Sequence, residues 1–336
     1  MGMEIRALDG DEPATIAALL PGFRETMSLE LPGDPPVTES LLARLFQRRQ
    51  GTERIVLVAY DGGTPAGVLK LGLDLEDPTG PGHGSLWVFP GFRRRGAGRA
   101  LAAAGLAGLR ERGRELLLAD APRTAAGERF AAGLGAELTG ESVRHRLCPD
   151  GPARAVLQAA AARPVPGYRQ VAWQGSCPDD LVETYARAWS ALEERVNGQS
   201  RMRRPAVDEV RAREAEAERA GHRPHVVAAL PEEGTAIVAY ATVFVRSGPM
   251  ADVGETLVLP QHRRRGLATW LKAALLLGAA GENSRLALFQ VFNDTANTAV
   301  VALNRKLGFE ADSHWSTYAL RAERSPVPDP PLQEPN

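Results

Sequence analysis

Hydrophobic positions recur with the spacing of helices and strands, and they do so in the same order in both halves of the chain. The first half predicts an extended segment, two helices and two apolar strands, at residues 4–7, 12–20, 39–47, 54–60 and 66–73. The second half predicts the same five elements at residues 168–173, 179–192, 206–220, 225–230 and 235–245. An order of elements that repeats in this way indicates two copies of one fold.

A direct sequence repeat supports this interpretation. Residues 86–98 and 256–268 align without a gap, and each contains a short apolar stretch, a proline, three consecutive arginines and a glycine. Further along the chain, the Leu-Gly pairs at residues 134–135 and 307–308 correspond at a nearly equal offset. We therefore predict an α/β protein made of two tandem domains of the same fold.

The domain boundary is predicted where the helical and strand patterns weaken. Pro164 and Pro166 punctuate this region and follow the first copy of the repeat. The resulting division has an N-terminal domain, a linker, a C-terminal domain and a proline-rich tail that we expect to be disordered, at residues 1–150, 151–166, 167–324 and 325–336.

Composition restricts the classes of function. The 336 residues are 44% hydrophobic and carry a formal net charge of -1, which argues against a general nucleic-acid or membrane-surface binder. The chain starts without the apolar stretch of a signal peptide, and no run of 18 apolar residues occurs. The two cysteines have no metal-ligand neighbours at useful spacing. We expect a cytoplasmic protein, monomeric or homodimeric, without a metal site.

The repeated loop places arginines where a helix begins, although that end of a helix already carries partial positive charge. A bound diphosphate would resolve the repulsion, because small residues allow the backbone N–H groups to approach its oxygens. One alternative is a solvated basic turn. A dinucleotide-binding loop is another, since Gly96 and Gly98 form a Gly-x-Gly, but Leu101 and Ala268 stand where that motif needs further glycines.

The pattern of arginine, two residues, glycine, one residue and glycine or alanine resembles the acyl-CoA loop of the GNAT acyltransferase superfamily, and the later Leu-Gly-Phe resembles its second motif. The tandem arrangement is similar to the mycothiol-synthase-like group. The resemblance implies a mixed sheet with helices on both sides, in which two parallel strands splay apart around the pantetheine of acetyl-CoA. It implies CoA contacts from the following residues: Val88, Arg93, Arg94, Arg95, Gly96, Ala97 and Gly98 in the first copy, and Leu257, Val258, Leu259, Arg263, Arg264, Arg265, Gly266, Leu267, Ala268 and Asn297 in the second.

The second motif is better preserved in the second copy. Its key slots hold Asn297, Val300, Asn304, Gly308 and Phe309, against Thr124, Gly127, Ala131, Gly135 and Ala136 in the first copy. Asn297 has two interpretations that are compatible with each other, a hydrogen bond to the pantetheine and a helix N-cap.

Glu255 is the candidate catalytic base, because a carboxylate inside an apolar strand is costly unless it is solvated, paired or used. The alternative is an edge-facing glutamate in contact with an arginine. The first copy has Ser85 at this position, with His83 as a weaker candidate, so we expect the second copy to be the catalyst. Backbone N–H groups around residues 257–259 would polarise the thioester carbonyl.

The second motif lacks the tyrosine that usually serves as the general acid. The slot in which the family usually has a tyrosine holds Asn304, and Tyr318 on the last predicted strand is the substitute, with a structural edge-strand tyrosine as the alternative.

These expectations combine into one function. The protein would transfer an acyl group from acetyl-CoA to the primary amine of a small molecule by direct attack on the thioester. The acceptor pocket would come from the helices at residues 179–220, whose carboxylates are interleaved with arginines. The alternative function is a non-catalytic acyl-CoA sensor or scaffold.

Overall fold

The computed structural model describes residues 3–8, 12–47, 51–197, 207–219, 221–246 and 248–322, with backbone only at 191–197. The tail predicted at residues 325–336 lies outside this described part. The elements, in chain order, are β1 (Glu4–Leu8), α1 (Pro13–Glu30), α2 (Glu39–Phe46), β2 (Thr52–Asp61), β3 (Thr64–Asp74), β4 (Gly82–Val88), α3 (Ala97–Arg110), β5 (Leu116–Pro122), α4 (Ala125–Gly133), β6 (Glu137–Leu147), α5 (Gly151–Ala161), β7 (Tyr168–Gln174), α6 (Val182–Asn197), α7 (Val207–Arg219), β8 (Arg223–Pro231), β9 (Ala239–Val245), β10 (Met250–Val258), α8 (Leu267–Glu282), β11 (Leu288–Asp294), α9 (Thr298–Lys306) and β12 (Glu310–Arg321).

The chain forms two compact units, but they are not divided where the sequence indicated. Unit 2 is Arg144–Asp312, and unit 1 contains the residues up to Val143 together with those from Ser313 onward. This division differs from the predicted boundaries at 150 and 167. The sequence missed this because β6 begins in one unit and ends in the other, and because β12 returns to pair with β5.

The segment predicted as a linker, residues 151–166, is mostly helical and belongs to unit 2. Helix α5 packs against α8 in unit 2, where the Leu157 side chain is fully buried. The indole N–H of Trp270 on α8 donates to the carbonyl oxygen of Ala161, 3.2 Å away, at the end of α5. The two prolines that suggested a linker follow this helix and so end it.

In unit 1 the strands follow the order β1-β2-β3-β4-β5-β12, and all neighbours are antiparallel except β4 and β5. These two parallel strands pair only at Gly82–Gly84 with Leu117–Ala119, and then separate. Helix α3 packs on one face of the sheet and helices α1 and α2 pack on the other. The mixed sheet with helices on both sides is as expected.

Unit 2 repeats this plan with the strands β7-β8-β9-β10-β11 and the end of β6. Its parallel pair, β10 and β11, is joined only at Met250–Asp252 with Leu288–Gln290. Helices α5 and α8 cover one face, and α6 and α7 cover the other. Each unit therefore contains a gap that opens between two parallel strands, and each repeated loop follows the strand that borders this gap. No described helix is long and apolar enough to cross a membrane.

Candidate active site

The two arginine–glycine loops have the same backbone conformation. Gly96 and Gly266 adopt left-handed φ values of 95° and 93°, and the middle arginines, Arg94 and Arg264, have φ values of 65° and 59°. Glycine is required at Gly96 and Gly266 by this dihedral angle rather than by crowding, because an added Cβ would meet no atom within 4 Å at the first position and only the Val165 side chain, at 3.8 Å, at the second.

The loop in unit 2 fits an anion such as a diphosphate. Gly266 is the N-cap of α8 and provides no side chain to cap the first turn, so N–H groups of that turn point outward without an intrahelical partner. Arg263, Arg264 and Arg265 are exposed and form no ion pair with any described residue. Arg263 also donates from Nε to the carbonyl oxygen of Val258, 3.0 Å away, which ties the loop to the strand beside the gap.

The loop in unit 1 differs in its charge balance. Arg93 makes the same bond from Nε to the carbonyl oxygen of Val88, at 3.1 Å, but its Nη2 is also 2.7 Å from a carboxylate oxygen of Glu30 on α1. Arg95 lies 3.4 Å from Asp61. Part of the positive charge of this loop is therefore already paired within unit 1.

Strand geometry separates the three residues that were predicted to face the thioester. The N–H of Leu259 donates to the carbonyl oxygen of Val238, 2.9 Å away, and Leu257 is paired with Tyr240 of β9. Since successive N–H groups along a strand point to opposite edges, that of Val258 is directed into the gap. The predicted role of the Leu257 and Leu259 N–H groups is therefore wrong. Val88 is the equivalent residue in unit 1, because the next N–H, that of Phe89, donates to Ala66.

Glu255 lies in a β-bulge of β10. The register between β9 and β10 shifts between Val253 and Thr256, so Gly254 and Glu255 together face Thr242. The Thr242 hydroxyl donates to Glu255 Oε2 at 3.0 Å, and Oε1 accepts no hydrogen bond from the described residues. In unit 1 the β3–β4 register runs without a shift through Ser85. The sequence alone did not show the bulge, because the segments that form β4 and β10 both have the pattern of a short apolar strand.

The Glu255 side chain lines a pocket on the face of unit 2 that carries α6 and α7. The lining is mainly aromatic and apolar, with a few polar groups, and consists of Trp173, Gly175, Tyr185, Trp189, Val210, Arg213, Glu214, Ala217, Pro224, Val226, Thr242, Phe244 and Glu255. Glu214 is engaged elsewhere, since it accepts from the Cys177 N–H at 2.7 Å and from Arg211 at 2.8 Å. Among the described residues that line the pocket, this leaves Glu255 as the carboxylate available to a ligand.

Tyr185 is a site residue that the sequence analysis did not identify. Its ring packs edge-on against Trp173 and Tyr240, with centroids 5.3 Å and 5.1 Å away. Burial, together with the nearby Glu255 carboxylate, raises the pKa of its phenol, so the hydroxyl stays protonated at neutral pH. The only available signal was its position within the predicted helix at residues 179–192, which contains several polar and aromatic residues.

Tyr318 is not among the residues that line this pocket. It belongs to unit 1, where it pairs opposite Ala119 of β5. Its role as the acid beside Glu255 stays a prediction. Asn297 caps α9 by accepting from the Val300 N–H at 3.4 Å, and Thr124 caps α4 in the same way at 3.1 Å.

Unit 2 thus combines a splayed parallel strand pair, an arginine–glycine loop at a helix start and a carboxylate on the strand beside the gap. Comparisons with known proteins show the family to which the chain belongs. The profile of the Acetyltransferase (GNAT) family matches residues 21–135 and 182–309, so the chain belongs to this family of N-acetyltransferases. A mycothiol acetyltransferase from Thermobispora bispora is 30% identical over 319 residues, which cover 91% of this chain and 95% of that protein.

Solved structures show the same tandem fold. A tandem GNAT protein from the clavulanic acid biosynthesis pathway superposes with a TM-score of 0.81 at 24% identity, covering 96% of this chain and 99% of that one. A GCN5-related N-acetyltransferase from Sphaerobacter thermophilus superposes with a TM-score of 0.69 at 16% identity, and 97% of each chain is covered. The predicted fold class of two tandem GNAT domains is thus confirmed.

Proposed function

We propose that unit 2 transfers the acetyl group of acetyl-CoA to the primary amine of a small molecule by direct attack on the thioester. The observation that carries this proposal is the position of Glu255. Its bulge lies just beyond the point where β10 and β11 separate, and its carboxylate faces the aromatic pocket. Glu255 therefore lies between the gap that would hold the acyl donor and the aromatic pocket that would hold the acceptor.

Each group has a defined task in this proposal. Acetyl-CoA supplies an activated thioester. Glu255 takes the proton of the incoming ammonium at Oε1, while the Thr242 hydroxyl holds Oε2 and fixes the orientation of the carboxylate. The Val258 N–H donates to the thioester carbonyl oxygen and stabilises the negative charge that develops there. The exposed arginines and the first turn of α8 hold the diphosphate. The departing thiolate then takes up the second proton, which the attacking nitrogen loses as the amide forms.

The pocket also favours a class of acceptor. Trp173, Tyr185 and Trp189 present ring surfaces, and Arg213 stacks over the Trp189 ring at 3.8 Å. Such walls suit an amine carried on a body with an apolar or planar face, and the Glu255 carboxylate, the one that the described lining residues leave available, suits the cationic group. We propose that the protonated Tyr185 hydroxyl donates a hydrogen bond to a polar group of this acceptor.

The substitution Glu255→Gln tests the proposed base. Turnover should be followed by release of the CoA thiol across a panel of small amines. We expect the rate to fall by about 100-fold or more, since a positioned base contributes on the order of 10²–10⁴-fold. The matched control is Ser85→Ala at the equivalent position of unit 1, which should keep the original rate. Unchanged turnover in the Glu255→Gln variant would remove the assigned base.

For unit 1 we propose CoA binding without catalysis. Its loop has the geometry of the loop in unit 2, but Ser85 replaces the carboxylate and the strand has no bulge. The rings of Trp87, Phe89 and Phe46 pack around Phe23 with centroids 5.1–5.8 Å away. Native mass spectrometry with acetyl-CoA counts the occupied loops, and we expect two. Tight binding without transfer to any amine of the panel would instead support a sensor.

A further inference from the structure

A chain of buried polar side chains runs through unit 2 beside the gap. The Lys272 ammonium on α8 donates to Asn304 Oδ1 on α9, 2.6 Å away, and Asn304 Nδ2 donates to Asn293 Oδ1 on β11, 2.7 Å away. Lys272 and Asn304 are 1% and 0% exposed, and Asn293 is 9% exposed. Lys272 has no carboxylate partner among the described residues, and its nitrogen lies 5.3 Å from the centroid of the Phe309 ring.

This arrangement is costly for the fold. A lysine without a carboxylate partner is among the least favourable groups to bury, and burial lowers the pKa of Lys272 to about 7 with no contribution from a charged neighbour. Unit 1 shows that the same packing works without it. The equivalent residues there are Ala102 and Ala131, both buried, on the equivalent helices α3 and α4.

The position of the chain suggests what it does. Helix α8 begins at the anion-binding loop, and Lys272 lies six residues beyond Gly266. Asn293 is on β11, three residues beyond Gln290, the last residue that pairs with β10. The hydrogen bonds therefore connect the helix that carries the loop to the strand that forms one wall of the gap, just where the sheet hydrogen bonds between β10 and β11 have ended.

We propose that Lys272, acting through Asn304, is a positioning residue that fixes the width of the gap for the pantetheine arm of CoA. This inference rests on the proposed use of unit 2 as the acetyl-CoA site. Lys272 orients the Asn304 amide, because it occupies the oxygen and leaves the NH₂ group for Asn293. β11 is thereby held in its position relative to α8 while the arm lies between β10 and β11.

The test compares four full-length proteins that all carry Gly96→Val, which strains the loop of unit 1, so that binding reports on unit 2. They are the parent, Lys272→Met, the double variant Lys272→Met with Asn304→Leu, and the control Leu275→Met, a buried exchange on the same helix. Each is titrated calorimetrically with CoA and with 3′-phosphoadenosine 5′-diphosphate, which has the diphosphate but no pantetheine. Melting temperatures are recorded in parallel.

The double variant is decisive because it removes both of the most deeply buried polar groups, Lys272 and Asn304, and leaves only Asn293 Oδ1, on a residue that is 9% exposed, without its donor. A merely structural chain would therefore be largely repaired by it. We expect its melting temperature to recover towards that of the parent while its affinity for CoA stays about ten-fold weaker. The affinity for 3′-phosphoadenosine 5′-diphosphate should match the parent, and Leu275→Met should match it for both ligands. Should the double variant not fold, Asn304→Asp replaces it, since this change keeps the partner of Lys272 and removes the donor to Asn293.

Parent-like affinity for CoA in a folded double variant, or in Asn304→Asp, would overturn the proposal. So would a loss of affinity that follows the loss of stability across the set, or a loss shared equally by both ligands. If the parent itself bound no CoA, the proposed function would fail together with this inference. A failure confined to the variants affects the inference alone.

Discussion

Unit 1 and unit 2 carry the same loop on sheets of the same order, yet their surroundings differ at each point where catalysis would need them. Unit 2 has a bulge with Glu255, an open aromatic pocket and a buried lysine, whereas unit 1 has a regular strand with Ser85, a filled aromatic cluster and alanines. The difference teaches that the loop conformation is kept in both units while the groups proposed for catalysis occur in unit 2 alone among the described residues. Matched substitutions in the two units separate binding from transfer.

The largest contrast is expected from the two left-handed glycines. Gly266→Val places a β-branched residue at a φ of 93°, where it is strained, and so displaces the first turn of α8. We expect kcat/KM to fall by about 100-fold or more, from the combined loss of loop geometry and of diphosphate contacts. Gly96→Val introduces the same strain into unit 1.

The Gly96→Val variant should lose one of two bound CoA molecules in native mass spectra while acetyl transfer continues, because Ser85 stands in unit 1 where unit 2 has the proposed base. Steady-state kinetics on both proteins checks this pair. Equal losses of transfer in the two variants would contradict the assignment of catalysis to unit 2.

Charge reversal at the loops should have a smaller effect. Arg264→Glu with Arg265→Glu replaces two exposed, unpaired cations and should weaken the affinity of unit 2 for CoA by about 10-fold to 100-fold, with a steeper loss at low salt. Arg94→Glu with Arg95→Glu is the matched change in unit 1. Calorimetric titration at two salt concentrations measures both. An affinity independent of these arginines would favour the solvated basic turn over a diphosphate site.

The sequence could predict the features that depend on residues close together in the chain, but not those that depend on contacts between residues far apart in it. The loops were predictable because their arginines and glycines are consecutive, and the left-handed φ values at Gly96 and Gly266 confirm that the glycines serve the turn. The pairing of β12 with β5 in unit 1 was not predictable, since pairing between strands that are far apart in the chain leaves no local sequence pattern. Tyr185 reaches the site from a different element, and Lys272 looks like an ordinary helix residue until the neighbours that bury it are known.

The buried lysine makes stability depend on pH in unit 2. The unfolded chain keeps this proton up to the ordinary lysine pKa of 10.5, while the folded protein releases it at about 7. Between these values the unfolded state binds more protons, so the free energy of unfolding should rise with pH, by at most about 1.4 kcal/mol per pH unit.

Denaturant titrations of the original protein and of Lys272→Met between pH 7 and pH 10 isolate this contribution as the difference between the two. A difference that stays constant over this range would mean that the lysine is protonated throughout.

The smallest effects are expected at the caps of the two equivalent helices, and they decide between the two interpretations of Asn297. Asn297 Oδ1 accepts from Val300 N–H at 3.4 Å, a long bond, and Thr124 accepts from Gly127 N–H at 3.1 Å. Asn297→Ala and Thr124→Ala should each lower the free energy of unfolding by about 1 kcal/mol, the usual value of an N-cap. If Asn297 is only a cap, its loss leaves the KM for acetyl-CoA unchanged. A KM that rises several-fold in Asn297→Ala alone would show that this side chain also contacts the pantetheine, because Thr124→Ala removes an equivalent cap from the unit that has no base.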